Sequence, residues 1–520
     1  MSDEEPLTRR AAREADAKRK GSVSAASAKS AAEPATEVLG TAEVAEHSPP
    51  EGKRPGFAAV VARHPNAWMF SALGVIFLLL GTGAVFAGAA FGAAAPVTAA
   101  TSNTPTPEPT RVVPATPAAA SALRTCSINA AATDPRLLTF EGSVINVTTG
   151  EVLFDRSATT AAPPASGLKV ITAAAALVTI GANYQMTTRV FEGNDPGSIV
   201  LVGGGDPTLS ALPPGVESVY AGAPKLADLA AQTKAAWEAN HPGDPITSVI
   251  LDANYWNPSD KWDSTWERSE QTIGYHAEVT ALMVDGDRAN PQKATSPRST
   301  DPIGRAGSAF VDALNLGHPV TVTLGSATPG KPKLGEVSSQ PISTLIGQML
   351  PMSDNTLAEA IARVISKESG GGGTAASLGS IIPGALVNLG FNTTGISIRD
   401  GSGLSASNAV PPLLMAQLMA SVSTGAQGLG VIKSALPVAG KSGTLASRFT
   451  GDNAVARGQV VAKTGWINTS RTLSGWVNAS DGSVLSFAFY ALGPVKADAM
   501  DALDTVATGL FNCGNNLSNN

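Results

Sequence analysis

A serine and a lysine three residues apart are the first side chains in this sequence whose types and spacing suggest chemistry. Ser166 and Lys169 stand in the run Ser166-Gly167-Leu168-Lys169, the sole S-x-x-K of the chain. In a helix this spacing puts both side chains on one face. A serine hydroxyl is a weak nucleophile until a neighbouring base takes its proton, and a buried, neutral lysine can be that base. The pattern therefore predicts Ser166 as nucleophile and Lys169 as base.

A second polar triplet follows at Ser353-Asp354-Asn355, directly before a segment with helical periodicity. On a tight turn, a hydroxyl and an amide would reach into the same cleft. Ser353 would relay a proton to a leaving amine, and Asn355 would orient Lys169 or hold substrate backbone. The alternative is a plain helix cap, because Ser and Asp are favoured at that position for local reasons.

The third triplet is Lys463-Thr464-Gly465, which follows an apolar run and precedes two more. On the edge of a sheet, Lys463 and Thr464 would bind a carboxylate, and Gly465 would let substrate backbone approach closely. A similar triplet begins at Lys441, but it follows a loop and has no strand series directly behind it. We therefore predict the catalytic strand at Lys463.

The elements that must position these triplets can be read from periodicity. Apolar runs bounded by turn residues predict strands, and apolar residues at helical spacing predict helices. Strands are expected at 143–147, 151–154, 459–462, 472–478 and 483–492, and helices at 166–179, 355–367 and 497–511. This order predicts an α+β fold, an antiparallel sheet covered by helices.

The first 120 residues differ from the remainder. Residues 1–64 are charged and poor in aromatic residues, so we expect them to be disordered. Residues 66–95 are predicted to form a single transmembrane signal-anchor helix, because 67–95 contain no charged residue and about 20 residues suffice to cross a bilayer. Residues 96–120 are rich in Pro, Thr and Ala, which predicts an extended linker. A buried core helix and a cleaved signal peptide are the alternatives to the anchor.

The charge pattern around this apolar segment predicts topology. Basic residues precede it, and no charge follows until Glu108. By the positive-inside rule the N-terminus is cytoplasmic, and everything beyond residue 95 is extracytoplasmic. The expected location is thus the cell membrane, with one span.

Composition excludes several function classes. The net charge of −6 over 520 residues gives no reason to expect nucleic acid as a partner. Five His residues without an H-E-x-x-H motif, and only two Cys, indicate no metal and no cofactor. Cys126 and Cys513 lie near the two ends of the predicted extracytoplasmic body, where a disulfide would be stable. Two buried free thiols are the alternative.

The order of the three triplets carries more weight than any one of them. S-x-x-K, S-D-N and K-T-G in this order are the motifs of penicillin-binding proteins and class A β-lactamases. The chain resembles a class C low-molecular-mass penicillin-binding protein, of the D-alanyl-D-alanine carboxypeptidase/endopeptidase family. Three further segments carry the same resemblance: residues 201–210 (LVGGGDPTLS), 400–405 (DGSGLS) and 443–449 (GTLASRF).

The resemblance implies a transpeptidase-like catalytic domain formed by residues 121–187 and 341–520. Residues 188–340 would be an inserted accessory region, where Trp237, Trp256, Trp262 and Trp266 form a subdomain core or, alternatively, a stacking surface that faces the wall.

The family resemblance also implies a reaction. Ser166 would form an acyl-enzyme with peptidoglycan stem peptides, and β-lactam antibiotics would act as covalent inhibitors. The backbone N–H groups of Ser166 and Trp466 would form the oxyanion hole. A β-lactamase and a non-catalytic peptidoglycan-binding or scaffold protein with the same fold are the alternatives.

Overall fold

The computed structural model describes residues 123–519, in which strands and helices are interspersed. The strands are β1 (Thr139–Asn146), β2 (Val152–Arg156), β3 (Thr187–Glu192), β4 (Ser198–Val202), β5 (Ser248–Asp252), β6 (Thr321–Leu324), β7 (Lys333–Ser338), β8 (Val460–Ile467), β9 (Ser470–Asn478) and β10 (Val484–Leu492). The α-helices are α1 (Asn129–Ala132), α2 (Leu168–Thr179), α3 (Leu226–Asn240), α4 (Ser269–Ile273), α5 (Pro302–Leu314), α6 (Ile342–Met352), α7 (Asn355–Glu368), α8 (Leu378–Asn388), α9 (Pro412–Thr424), α10 (Gly430–Ala435) and α11 (Ala499–Cys513).

One antiparallel sheet of five strands has the order β2-β1-β10-β9-β8. Its central strand β10 is apolar apart from Ser486 and the Tyr490 hydroxyl, because both faces of the sheet are covered. Phe487 and Phe489 pack into a core with α11, whereas Ala488 and Tyr490 pack into the core that contains α9. Successive side chains of a strand point to opposite faces of the sheet, so the side chains of β10 pack into two different cores. Strand β8, which carries Lys463, lies at the end of the order.

A second sheet of five strands is formed within residues 187–338 and has the order β6-β5-β4-β3-β7. The pairs β4–β5 and β5–β6 are parallel, which requires crossover connections. Helix α3 lies in the first crossover and α5 in the second. Side chains of both helices pack with Val190, Leu201 and Leu251 in a core of their own.

The tryptophans of the inserted region are not a wall-facing surface, so that alternative is wrong. Trp237 packs in the core of the second sheet, as a subdomain core would require. Trp256 and Trp266 are buried instead in the larger core that also contains residues of α2 and α7. Trp262 is partly buried against that larger core.

The predicted helices and strands around the site are confirmed, with one correction at the first helix. The chain does not enter an α-helix at Ser166. A short 3-10 helix, Ala165–Gly167, precedes α2, because Ala165 has a φ of 46° that is incompatible with a continuous α-helix.

The two ends of the described chain are joined covalently. Cys126 and Cys513 form a disulfide across 387 residues of sequence, with Cα atoms 5.4 Å apart, rather than remaining as two free thiols. Cys126 also forms a parallel backbone bridge with Leu517.

The predicted segments 1–64, 66–95 and 96–120 lie outside the described residues. Between residues 123 and 519, no helix is both long and apolar enough to cross a bilayer.

Candidate active site

The turn that carries Ser166 is fixed to the sheet by a side-chain hydroxyl. Thr472 on β9 donates from Oγ1 to the carbonyl oxygen of Pro164 at 2.8 Å. This bond holds the backbone directly before the left-handed Ala165, so the position of Ser166 relative to β9 is determined by both features. Ser166 itself is 4% exposed.

Glycine at position 465 lets strand β8 pass close to the same turn. A Cβ atom added at Gly465 would lie 2.1 Å from Thr472 Oγ1 and 2.8 Å from the Pro164 carbonyl oxygen. Gly167 has no such requirement, because the nearest atom to an added Cβ lies 3.7 Å away and its φ of −57° is helical. Gly465 therefore determines the approach of β8 to Ser166, and Gly167 is tolerated without strain.

Lys169 lies directly beneath Ser166 and is fully buried. Its Nζ lies 3.0 Å from Ser166 Oγ, 2.7 Å from Asn355 Oδ1 and 2.6 Å from the carbonyl oxygen of Ser402. All three partners are uncharged acceptors. Burial disfavours an ammonium relative to an amine. An amine at this distance can accept the proton of Ser166.

Lys463 and Ser353 form a second pair in the same place. Lys463 Nζ donates to Ser353 Oγ at 2.8 Å and to the carbonyl oxygen of Thr464 at 2.8 Å. Ser353 occupies a left-handed conformation, with φ 56° and ψ 42°, at the turn between α6 and α7. That turn aims the Ser353 hydroxyl at β8, while Asp354 caps α7 by accepting a hydrogen bond from the Leu357 N–H at 3.0 Å, so the cap alternative describes Asp354. Thr464 Oγ1 is hydrogen-bonded to Thr444 Oγ1 at 2.9 Å.

Trp466 follows Gly465 on β8 and is held by an arginine from the neighbouring strand. The guanidinium carbon of Arg471 lies 4.1 Å from the centre of the Trp466 ring, a distance typical of a cation–π contact. The two residues are opposite each other in the β8–β9 register.

These residues meet at a cavity of about 390 Å³. Residues from all three triplets line it, whereas Lys169, Asn355 and Lys463 do not line it and are buried. The remaining lining residues come from the inserted region, the end of α6, the segment 443–448 and the start of α11. The lining residues from the predicted site are Ser166, Ser353, Thr464, Gly465 and Trp466. The structure thus brings every predicted catalytic and substrate-binding residue to one place.

The rival triplet does not contribute its lysine. Lys441 lies in an exposed turn outside the cavity. Within residues 123–519, no cluster of three or more His, Cys, Asp or Glu side chains is arranged to hold a metal ion.

Comparison of the sequence with protein families shows which family the chain belongs to. The D-Ala-D-Ala carboxypeptidase 3 (S13) family matches residues 125–301 and 287–510, which together cover nearly all of the described chain. The chain belongs to the S13 family.

Relatives with names of the same kind cover most of the protein. The carboxypeptidase Rv3627c of Mycobacterium tuberculosis is 35% identical over 408 residues, which is 77% of this chain and 86% of that protein. The carboxypeptidase DacB of Mycolicibacterium smegmatis is 34% identical over 396 residues, which is 75% of this chain and 84% of that protein.

A solved structure shows the same fold. Penicillin-binding protein 4 (dacB) of Haemophilus influenzae gives a TM-score of 0.58 at 18% identity, over 72% of this chain and 96% of that one. The same protein complexed with a β-lactam gives a TM-score of 0.55 at 16% identity, over 72% and 95% of the two chains. The α+β fold is thus of the transpeptidase/β-lactamase type.

In this S13 peptidase, the loop that contains Gly401 and Ser402 positions the base, Lys169. Glu359, one helical turn after Asn355 on α7, accepts hydrogen bonds from the backbone N–H groups of Gly401 at 3.0 Å and Ser402 at 2.6 Å. Burial, and then the neighbouring carboxylate of Asp400, raise the pKa of Glu359 to about 7. Through its two backbone hydrogen bonds, Glu359 positions the Ser402 carbonyl, which accepts a hydrogen bond from Lys169.

Sequence reasoning missed several groups that build the site. The segments 400–405 and 443–449 were singled out only by resemblance, although Ser402 and Thr444 both contact predicted residues. Ser402 acts through its backbone carbonyl, so its side-chain type carries no signal. Thr472 contributes through a contact between strands that no local pattern reveals.

Proposed function

We propose that this S13 protein is a serine D-Ala-D-Ala carboxypeptidase or endopeptidase that acts on peptidoglycan stem peptides through an acyl-enzyme on Ser166. The observation that carries the proposal is the 3.0 Å contact between Ser166 Oγ and Lys169 Nζ at the base of the cavity. The family and the names of the relatives support the substrate class.

Acylation begins with transfer of the Ser166 proton to neutral Lys169. Ser166 Oγ attacks the carbonyl carbon of the penultimate D-residue, and the resulting oxyanion accepts hydrogen bonds from the backbone N–H groups of Ser166 and Trp466. Asn355, 2.7 Å from Lys169 Nζ, keeps the amine oriented toward Ser166. A C–N bond breaks when this intermediate collapses.

The leaving amine then needs a proton. Ser353 relays the proton from Lys169 to this nitrogen, and its contact with Lys463 at 2.8 Å supports that role. Lys463 and Thr464 hold the terminal carboxylate of the departing residue. Water afterwards attacks the acyl-enzyme ester, which releases the shortened peptide and restores Ser166.

β-Lactams follow the first half of the same path. Opening of their ring by Ser166 leaves no separate amine to depart, so the acyl-enzyme persists. The likeness in fold to a penicillin-binding protein whose structure includes a β-lactam supports this expectation.

The proposed location is the outer face of the cell membrane. The uncharged segment 67–95, the basic residues before it and the positive-inside rule support a single anchoring helix with a cytoplasmic N-terminus. Cys126 and Cys513 are disulfide-bonded, and an oxidising extracytoplasmic compartment favours this state.

The nucleophile can be tested by trapping. The protein is incubated with a labelled penicillin and digested, and the labelled peptide is identified by mass. We expect the label on Ser166 and none in Ser166→Ala; a label on another serine would refute the assignment.

The carboxylate-binding strand has a matched control within the chain. Lys463→Ala should lower the rate of acylation by about 100-fold or more, because it removes a charge-assisted hydrogen bond to Ser353 and a positive charge behind the cavity wall. Lys441→Ala, in the exposed rival triplet, should leave the rate unchanged. Equal losses in the two variants would contradict the choice of β8.

The reaction itself is tested with purified muropeptides and mass analysis of the products. Loss of one alanine from pentapeptides indicates carboxypeptidase action, and conversion of dimers to monomers indicates endopeptidase action. Rapid turnover of a chromogenic β-lactam would instead identify a β-lactamase. Binding of muropeptides without any product would identify a scaffold protein.

A further inference from the structure

The cavity has a wall that the proposed reaction does not use. Beside the Ser353–Asp354 turn, it is lined by residues of the loop between α4 and α5 of the inserted region. This loop brings two arginines side by side, because Arg288 and Arg298 pair through their backbones as an antiparallel bridge. Both side chains line the cavity that contains Ser166.

The charge of Arg288 is paired with a neighbouring carboxylate. It donates from Nη2 to Asp354 Oδ2 at 2.7 Å and from Nη1 to Tyr220 Oη at 2.7 Å, and it is 2% exposed. Although burial opposes ionisation of Asp354, the charge of Arg288 keeps the pKa of that carboxyl well below its ordinary value. The pair is therefore neutral overall and holds the inserted loop against the Ser353 turn.

Arg298 has no comparable partner. It is 7% exposed and donates from Nη1 to the Ser296 carbonyl at 2.9 Å, and its Nε has no hydrogen-bond partner among the described residues. No carboxylate in residues 123–519 forms an ion pair with it, whereas Arg448, on the same cavity, is paired with Asp504 at 2.7 Å.

An unpaired buried cation is costly to retain unless a ligand compensates it. Burial, and then the charge of Arg288, lower the pKa of Arg298 to about 10, so the guanidinium still carries its charge at neutral pH. A guanidinium suits a carboxylate, which it can bind through two parallel N–H groups. Asp354 and Asp287 interact with this charge at longer range, but among the described residues none forms an ion pair with it, so a substrate carboxylate can bind there.

The position of Arg298 indicates which end of the substrate supplies that carboxylate. Arg288 connects the inserted loop to Asp354, and Asp354 follows Ser353, the hydroxyl that contacts Lys463. Lys463 and Thr464 hold the terminal carboxylate next to the leaving amine. Because the backbone of Arg298 pairs with that of Arg288, Arg298 lines the cavity near this same Ser353–Asp354 turn.

We infer that Arg298 binds a second carboxylate on the leaving group, so that this site is built for cross-linked peptides. A single departing D-alanine has one carboxylate, which Lys463 and Thr464 already bind. The acceptor strand of a cross-linked muropeptide departs with further carboxylates on the residues joined to its amine. This inference rests on the proposed function and specifies its substrate class as endopeptidase substrates.

The test compares two substrates on the full-length protein. For wild type and Arg298→Gln, kcat/KM is measured with a cross-linked muropeptide dimer and with a monomeric pentapeptide, and the rate of penicillin acylation is measured in parallel. We expect Arg298→Gln to lower kcat/KM for the dimer by about 10- to 100-fold, the range of a hydrogen-bonded charge pair. Pentapeptide hydrolysis and acylation should be unchanged.

Two controls separate binding from folding. Lys293→Gln removes one exposed positive charge from the same loop, outside the cavity, and should change neither substrate. In the wild type, amidating the leaving-strand carboxylates other than the one next to the scissile nitrogen, which Lys463 and Thr464 bind, should reproduce the loss. The same amidation should have no added effect in Arg298→Gln. This second measurement gives a result even if the variant folds poorly.

The outcomes are distinct. Equal losses with dimer and pentapeptide, or an amidated dimer cleaved as fast as the free acid, would overturn the inference while leaving the proposed function intact. A wild-type protein that hydrolyses pentapeptide but not dimer would also overturn it. Absence of acylation at Ser166 and of any cleavage would refute the proposed function itself.

Discussion

His276 should make the stability of this protein sensitive to mild acid. The side chain is fully buried next to the edges of Trp262 and Trp266, and neither ring nitrogen has a hydrogen-bond partner among the described residues. Burial, followed by the positive charge of Arg298, lowers its pKa from 6.5 to about 3. The imidazole is therefore neutral in the folded protein down to pH values at which an unfolded chain would bind a proton.

The sign of the effect follows from proton binding. Between pH 6.5 and pH 3 the unfolded state binds more protons than the folded state at this position, so the stability contribution is present above pH 6.5 and is lost as the pH falls. At pH 5 the pH is about one and a half units below the pKa of histidine in the unfolded chain. Each unit corresponds to about 1.4 kcal/mol of unfolding free energy. His276 should therefore cost about 2 kcal/mol of unfolding free energy between pH 7 and pH 5.

The assay is urea unfolding at pH 7 and pH 5, followed by tryptophan fluorescence. His276→Phe keeps a ring against Trp266 and removes the titration, so its loss of stability between the two pH values should be about 2 kcal/mol smaller than that of wild type. His318→Gln, which changes an exposed histidine, should retain the wild-type dependence. An equal loss in wild type and His276→Phe would refute the reasoning.

Three further changes test the packing. Gly465→Ala should slow β-lactam acylation by about 100-fold, because the new Cβ must displace Thr472 or the Ser166 turn, and an unchanged rate would show that β8 can move away. Gly167→Ala should leave acylation unchanged and raise the unfolding free energy by about 0.4–1 kcal/mol in urea titrations, and a slower enzyme would contradict its open surroundings. Replacing Cys126 and Cys513 together by Ser should lower the unfolding free energy by about 2–5 kcal/mol, and reduction of the double variant by thiols should then have no further effect.

Local sequence patterns were sufficient to predict much of the catalytic half of the fold. Each apolar run at 472–478 and 483–492 is a strand, because both faces of the sheet are covered and the run needs no polar face. The spacing of Ser166 and Lys169 was sufficient to predict their contact, because three residues make almost one helical turn even across the 3-10 start of α2.

Contacts between distant segments could not be predicted in the same way. The pairing of Arg288 with Asp354 joins an inserted loop to a catalytic turn, and nothing local to either residue specifies the other. The parallel order of β4, β5 and β6 depends on crossovers through α3 and α5. No helix or strand was predicted from the sequence within residues 188–340. The assignment of the tryptophans to a subdomain core failed for Trp256 and Trp266, because burial does not reveal which core a side chain joins.

The pairing of β1 with β10 has a consequence for how the protein is made. The first strand of the catalytic sheet lies beside one of the last, with Thr139 opposite Leu492. As the chain is synthesised from its N-terminus, β1 and β2 are available long before β10, and a two-stranded hairpin alone is marginally stable. The sheet that carries Lys463, and the disulfide to Cys513, can therefore be completed only after nearly the whole chain has emerged. Until then the strand edge of β1 is exposed to other chains, so folding of this protein should depend on factors that shield unpaired strands.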